Sequence, residues 1–298
     1  MTDTPRPSAK DFDPAVMRLF DQYVHGQIDR RGFVKGASAL AISASAATGL
    51  LAALSPRFAA AQKVAPEDPR LEASFESFDS PQGHGTGRGY LVRPVGVEGP
   101  LPLVLVVHEN RGLNPHIEDV TRRMALAGFL AFAPDALFPE GGYPGNEDTA
   151  RTAFARLDQT KTREDMVAAA KWLQAHPDGN GRLGVVGFCY GGAIANLLAT
   201  RLADLKAAVP FYGGAAPLDQ VGNIRAELLV VLAEDDERVN AGWPAYREAL
   251  DAAGVTWRMI QPPGTLHGFN NDTTPRYEPE AAALAWGETL ALFNRTLR

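Results

Sequence analysis

The chain of 298 residues has a single cysteine, Cys189, so neither an intrachain disulfide framework nor a cysteine-rich zinc cluster is available to it. It also lacks any excess of positive charge. Lys and Arg number 29 against 35 Asp and Glu, a formal charge of −6, which leaves nucleic acid without a general electrostatic attraction. No internal repeat and no low-complexity tract follows the first sixty residues. Disorder is excluded by a hydrophobic content of 45%, enough to bury a core in one large domain or two small ones.

Asp29-Arg30-Arg31-Gly32-Phe33-Val34-Lys35 precedes a run from Ala37 to Leu54 that is almost entirely Ala, Leu, Ile, Ser, Thr and Gly. Paired arginines before a mild apolar stretch look like a twin-arginine export signal, with Ala59-Ala60-Ala61 as small residues for cleavage after Ala61. The expectation is an N-terminal region 1–61 that engages the twin-arginine export machinery and places the protein in a periplasm or outside the cell. The alternative is a membrane anchor, for which a run so rich in Ala and Ser is barely long enough. No stable anchor is expected, and residues 66–298 form a single α/β domain of ordinary size.

Leu101–Val107 reads LPLVLVV, an unbroken apolar run suited to a parallel strand covered on both faces. Similar runs recur at 128–133, 183–188, 206–210, 227–233 and 255–260. Helix-period segments lie between and after them, at 116–127, 162–176, 191–203, 241–253 and 279–297, the second opened by Thr162 and Asp165 as a variant capping box. Strand and helix in alternation give a doubly wound, mostly parallel sheet with helices on both faces. Residues 73–78 and 89–93 precede it as an antiparallel hairpin. Gly83, Gly85, Gly87 and Gly89 lie in or beside its loop and form no phosphate cradle, because a second strand follows them where a helix would be needed.

Gly187-Phe188-Cys189-Tyr190-Gly191-Gly192 follows the strand LGVV and precedes a helix. This is G-x-C-x-G in a strand-to-helix turn so tight that small residues are required two before and two after the central one. A helix N-terminus aimed at the sulfur favours thiolate over thiol. A nucleophile here needs a histidine base and an orienting acid, in the chain order nucleophile, acid, histidine. Glu234-Asp235-Asp236-Glu237 follows one strand and Leu266-His267-Gly268-Phe269 the next, both at the sheet edge that carries Cys189. Of the other histidines, His25, His84, His116 and His176 are expected in surface or capping roles, and His108 is expected to pair with a carbonyl. No metal is implied by the spacing of histidines and carboxylates near the elbow, and no cofactor.

The elbow, His108-Glu109-Asn110-Arg111-Gly112-Leu113-Asn114, Asp236-Glu237-Arg238-Val239-Asn240 and Leu266-His267-Gly268-Phe269 together resemble the dienelactone hydrolase (carboxymethylenebutenolidase) family of α/β-hydrolases, over residues 74–296. The resemblance implies Cys189 as nucleophile, His267 as base, Asp236 as orienting acid with Asp235 as fallback, and Glu109 as a second carboxylate that draws the proton from the thiol when substrate binds. It also implies an oxyanion hole of the backbone N–H groups of Tyr190 and Asn110. The family's two carboxylate-binding arginines have no counterpart in Ala136–Glu140 or in Phe269–Asp272, so an anionic lactone fits this chain poorly.

Arg111 is a candidate pocket residue, with Phe138, Tyr143, Tyr212, Trp243 and Phe269, while Arg151 and Arg276 read as surface salt-bridge residues. The polar loop 270–279 reads as part of a lid. These features describe a monomeric hydrolase that opens a lactone or cleaves a small ester through an acyl-cysteine intermediate. A thioesterase on the same residues is the alternative, and a thiol redox or binding protein a further one, against which the presence of both Asp236 and His267 argues.

Overall fold

The computed structural model describes residues 7–40 and 43–298. Eight strands form one sheet: β1 (Leu71–Ser80), β2 (Gly85–Pro94), β3 (Leu101–Val107), β4 (Leu130–Pro134), β5 (Gly179–Phe188), β6 (Ala207–Phe211), β7 (Glu227–Val231) and β8 (Trp257–Ile260). Their spatial order is β1-β2-β4-β3-β5-β6-β7-β8. β1 and β2 are antiparallel, β2 is antiparallel to β4, and every other pairing is parallel. The hairpin therefore extends one edge of the sheet, and its strands run one to four residues beyond each predicted end.

All seven residues of β3 are buried, as the unbroken apolar run requires of a strand between two helical layers. The helices of the domain are α5 (Pro115–Leu126), α6 (Glu147–Arg156), α7 (Gln159–Gln174), α8 (Tyr190–Arg201), the single turn α9 (Glu237–Asn240), α10 (Trp243–Ala252) and α11 (Pro279–Leu297). Met166 of α7, Leu198 of α8 and Leu250 of α10 pack on one face of the sheet; Ile117 of α5 and Phe293 of α11 pack on the other. This is the α/β-hydrolase architecture. Helix α6 has no counterpart in the sequence reading. Thr162 and Asp165 do not cap α7: Asp158 does, accepting from the amides of Thr160 and Lys161, while Asp165 lies inside the helix and accepts from Ser80 Oγ at 2.6 Å and from the His84 amide at 2.9 Å.

Ahead of the sheet, the chain forms α1 (Pro14–Val24), α2 (Arg30–Ala39), α3 (Ala44–Leu54) and a turn α4 (Phe58–Ala61). Asp13 caps α1 by accepting the Ala15 amide, and Asp29 caps α2 by accepting that of Gly32. The run expected as a signal core is thus divided between the end of α2 and α3, with residues 41 and 42 outside the described residues. Val16, Met17, Phe20 and Tyr23 of α1 form an apolar cluster with Phe33 and Ala37 of α2 and Leu51 and Leu54 of α3. No helix among the described residues is long and apolar enough to cross a membrane.

This helical unit docks through polar contacts. At the end of α1, the carbonyl of Val24 accepts from Arg111 Nη2 at 3.0 Å and Asn110 Nδ2 at 3.2 Å, and that of Tyr23 from Arg151 Nη1 at 2.5 Å. Carbonyls left open by the helix terminus are thereby satisfied by the α/β domain. The Tyr23 hydroxyl donates to Asp148, and Arg276 lies 5.3 Å over the Phe20 ring. Arg151 and Arg276 are therefore docking residues and not surface salt-bridge residues. Loop 270–279 is not a lid either. The helical unit covers it: Asn270 to Thr274 and Arg276 are buried, and the Arg57 amide donates to the Thr273 carbonyl at 2.9 Å. Its polarity suits a buried floor whose partners are charged. Asp272 meets Lys63 Nζ at 3.1 Å, Arg123 Nη2 at 2.8 Å and His116 Nδ1 at 3.3 Å.

Candidate active site

The carboxyl ends of β3, β5, β7 and β8 bring Glu109, Cys189, Asp236 and His267 to one edge of the sheet, where ligands collect in open α/β folds. At the elbow Cys189 has φ 56° and ψ −109°, a conformation that costs an L-residue energy and is held by its neighbours. Its amide donates to the Phe211 carbonyl at 3.0 Å, and its carbonyl accepts from the Ala193 amide at 3.2 Å. A Cβ on Gly187 would lie 1.9 Å from the Gly191 carbonyl oxygen, and one on Gly191 would lie 2.2 Å from that of Val107. Backbone meets backbone at both places, so nothing can yield. Gly191→Ala is expected to destabilise the protein by about 3 kcal/mol, read as a lowered midpoint in urea unfolding; an unchanged midpoint would contradict the close approach.

His267 Nδ1 lies 2.5 Å from Asp236 Oδ2. Asp236 also accepts the Val239 amide at the start of α9, and Asp235 is exposed, so the acid beside the histidine is Asp236 and not its neighbour. Burial pushes the Cys189 thiol up, but the charge of His267 and hydrogen bonds from His25 and His267 outweigh it and bring the thiol down to about 5. Burial alone would depress His267; the sulfur charge, with Asp236 beside it, raises it to about 9. Sulfur and imidazole thus favour thiolate and imidazolium together. Glu109 is turned elsewhere: its Oε2 accepts from Asn271 Nδ2 at 3.1 Å. The carboxylate expected to draw the thiol proton is thus engaged by Asn271, and the groups that lower the thiol are His267 and His25.

Replacement of Asp236 by Asn removes the charge opposite Nδ1 and presents a donor there in one amide orientation. Because the thiolate leaves the base less to do, kcat is expected to fall by about 100-fold, at the lower end of general-base effects. Steady-state kinetics on a p-nitrophenyl ester check this; an unchanged kcat would remove Asp236 from the site.

Tyr190 opens α8, so its amide is among the first-turn donors without an intrahelical acceptor, and Asn110 lies in the loop after β3 facing the same cleft. His108 pairs with the Glu109 carbonyl at 2.5 Å through Nδ1 and accepts the Ala136 amide at 3.0 Å through Nε2. Cys189 and His267 open on a cleft of about 330 Å³, and Arg111 and Tyr143 line it. Tyr212 and Phe269 do not line it but pack behind the histidine, the Tyr212 ring 4.9 Å from that of His267 and 5.8 Å from that of Phe269. Phe138 lies in a 3-10 turn outside the cleft, and Trp243 lines a separate surface depression with Arg247 and Asp251. Neither is a pocket residue. Both follow carboxyl ends of strands, and the sequence does not show that the chain then leads each away from the elbow.

The sequence reading missed the other wall. Phe20, Tyr23 and Val24 of α1, with Ser55, Pro56 and Phe58, line the cleft opposite the elbow. His25, at the end of α1, is not a surface residue: its Nε2 lies 3.8 Å from Cys189 Sγ, 3.2 Å from His267 Nε2 and 2.8 Å from Arg238 Nη2. The available signals were the Asp13 and Asp29 caps and the helical spacing of Val16, Phe20 and Tyr23.

A G-x-C-x-G elbow, a buried His–Asp pair and an eight-stranded mixed sheet define an α/β-hydrolase. The chain belongs to the Dienelactone hydrolase family, which it matches over residues 88–297, and it is a dienelactone hydrolase-like, carboxymethylenebutenolidase-like hydrolase. Residues 4–41 match a second family, described as YqhI-like. A protein of Escherichia coli K12 named "Putative carboxymethylenebutenolidase" is 32% identical over 243 residues, covering 76% of this chain and 89% of that one. The crystal structure of "Putative Dienelactone Hydrolase" from Klebsiella pneumoniae superposes with a TM-score of 0.66 at 30% identity, covering 75% of this chain and 99% of that one. A thermostable esterase from Pseudomonas putida, at 18% identity and a TM-score of 0.62, shares the fold over 96% of this chain and 99% of its own.

Proposed function

We propose that the protein opens a lactone or cleaves a small carboxylic ester through an acyl-Cys189 intermediate. The observation that carries this is the chain Asp236–His267–Cys189 at the elbow, with its thiolate-stabilising histidine. Cys189 Sγ attacks the carbonyl carbon, the amides of Tyr190 and Asn110 receive the oxyanion, and imidazolium His267 protonates the leaving alkoxide. Water, deprotonated by His267, then releases the acid and restores the sulfur. Each oxyanion donor is worth about 3 kcal/mol in the transition state. The name of the Escherichia coli relative points to a carboxymethylenebutenolide, and a relative from Bradyrhizobium is named "Probable 2-oxo-3-(5-oxofuran-2-ylidene)propanoate lactonase". For this chain a neutral small acyl or lactone group is the better substrate, because the buried Arg111 and Arg276 already serve the α1 carbonyl and the Asp21 carboxylate.

The test is turnover of short-chain p-nitrophenyl esters, neutral lactones and acyl thioesters by full-length protein, with and without iodoacetamide. Ester or lactone turnover lost in step with Cys189 alkylation supports the reading. Turnover of thioesters alone favours the thioesterase alternative, and no turnover, with Cys189 oxidised, the redox one.

Export of the chain is a separate proposal, resting on Arg30-Arg31 ahead of the Ala37–Leu54 run. The packing of α1 to α4 against the cleft supports retention of the same residues as a pocket wall. N-terminal sequencing of the protein purified from its own cells decides: a chain starting near Gln62 in the periplasmic fraction supports cleavage, and a chain that keeps residues 14–61 supports the wall. As a monomer in either form, the protein is expected to elute at about 32 kDa or less, consistent with its 31.9 kDa mass.

A further inference from the structure

His25, Cys189 and His267 come from three separate parts of the chain and aim three ligand atoms at one point. All three atoms lie within 4.8 Å of one another, with 3.2 Å between the two Nε2 atoms and 3.8 Å from Sγ to His25 Nε2. Tetrahedral zinc, with bonds of about 2.0–2.1 Å to nitrogen and 2.3 Å to sulfur, sets its ligands about 3.3 Å apart for N···N and about 3.6 Å for S···N. The two spacings made by His25 are close to those of a coordination sphere, and Sγ to His267 Nε2, within 4.8 Å, closes the triangle. Direct hydrogen bonding accounts for them less well, since two facing Nε2 atoms need a proton on one and a lone pair on the other, while Sγ at 3.8 Å is a long acceptor.

The outer nitrogens carry the same message. His267 Nδ1 is held by the Asp236 carboxylate at 2.5 Å, and His25 Nδ1 by the Asp21 carbonyl at 2.8 Å and its carboxylate at 3.2 Å. Acceptors behind both rings hold the Nδ1 protons, so that a cation displacing the inward Nε2 protons meets both lone pairs, as in histidines that ligate metals. Among the described residues Arg238 Nη2, 2.8 Å from His25 Nε2, stands in competition, and its exposed side chain can swing into solvent.

We propose that His25, Cys189 and His267 form a binding site for one borderline-soft divalent cation of the zinc class, with the fourth position open to the cleft. The bound cation joins the helical unit to the α/β domain. It takes up both the sulfur and the histidine lone pair that hydrolysis uses, so the loaded protein is the inactive form. The inference goes beyond the hydrolytic reading, and its primary readout does not pass through turnover.

Cobalt(II) is the probe, titrated into chelator-treated full-length protein. The expected result is one cobalt per chain, with a near-ultraviolet sulfur-to-cobalt charge-transfer band and visible bands of tetrahedral intensity, all removed by one equivalent of zinc. Since Cys189 is the chain's one cysteine, the charge-transfer band reports that sulfur alone. His25→Gln is expected to weaken cobalt binding by about 100-fold or more, and Cys189→Ser to abolish the band while both variants keep the wild-type circular dichroism. His84→Ala, a histidine paired elsewhere with Asp165, is expected to bind as the wild type does. Absence of the band in the wild-type protein, or equal affinity in His25→Gln, overturns the site. A cobalt site in a protein that hydrolyses no ester would leave the metal proposal standing and remove the hydrolytic one.

Discussion

Cys189→Ala is expected to lower kcat/KM for a short-chain ester or lactone by a factor on the order of 10⁴ or more, the scale seen when a nucleophile that works as part of a unit is removed. The fold is expected to survive. The strained elbow is fixed by the Cys189 amide and carbonyl hydrogen bonds and by the glycines packed around it, none of which involves the sulfur. Far-ultraviolet circular dichroism and the unfolding midpoint separate the two effects. Activity within tenfold of wild type in a folded Cys189→Ala protein would mean that the sulfur is not the nucleophile.

The second large effect is on the pH dependence of Cys189 alkylation. A free thiol with a pKa near 8.5 loses about eightyfold of its thiolate between pH 8 and pH 6. Cys189, brought down to about 5 by His267 and His25 against the opposing effect of burial, keeps most of its thiolate across that range. Its iodoacetamide rate is therefore expected to change by less than about twofold from pH 8 to pH 6, and to fall only as the pH drops through about 5. The sign follows from the direction of the shift: a lowered thiol pKa means that the charged form is the one lost in acid. Above about 9, where His267 gives up its proton, the imidazolium that protonates the leaving group is gone, and turnover is expected to fall while alkylation does not. A free-thiol profile, steep between pH 6 and pH 8, would show that the histidines do not hold the sulfur ionised.

Much of this was legible in the sequence because the signals were local. LPLVLVV can be satisfied only by a strand covered on both faces, and G-x-C-x-G only by a turn in which Gly187 and Gly191 touch backbone. What was not legible depends on contacts made far along the chain. Residues 270–276 are polar, and local polarity reads as solvent exposure; they are buried because α1 and the turn after α3 lie over them. Arg151 and Arg276 carry charges that suit the surface, yet one reaches a carbonyl and the other a ring of α1. His25 is the largest omission. A histidine five residues before paired arginines reads as part of a leader, and nothing in its neighbourhood reports Cys189, which is 164 positions away. The same Ala-rich run supports both an export signal and a pair of short packed helices, since both need small apolar residues.

The most direct test of the central claim is mass spectrometry of acid-quenched full-length enzyme, taken during turnover of a slow p-nitrophenyl ester. Hydrolysis through Cys189 predicts a mass increase equal to the acyl group, located on the peptide that contains Cys189 and lost as turnover ends. An unmodified Cys189 during steady turnover, or an acyl group on another residue, would contradict it.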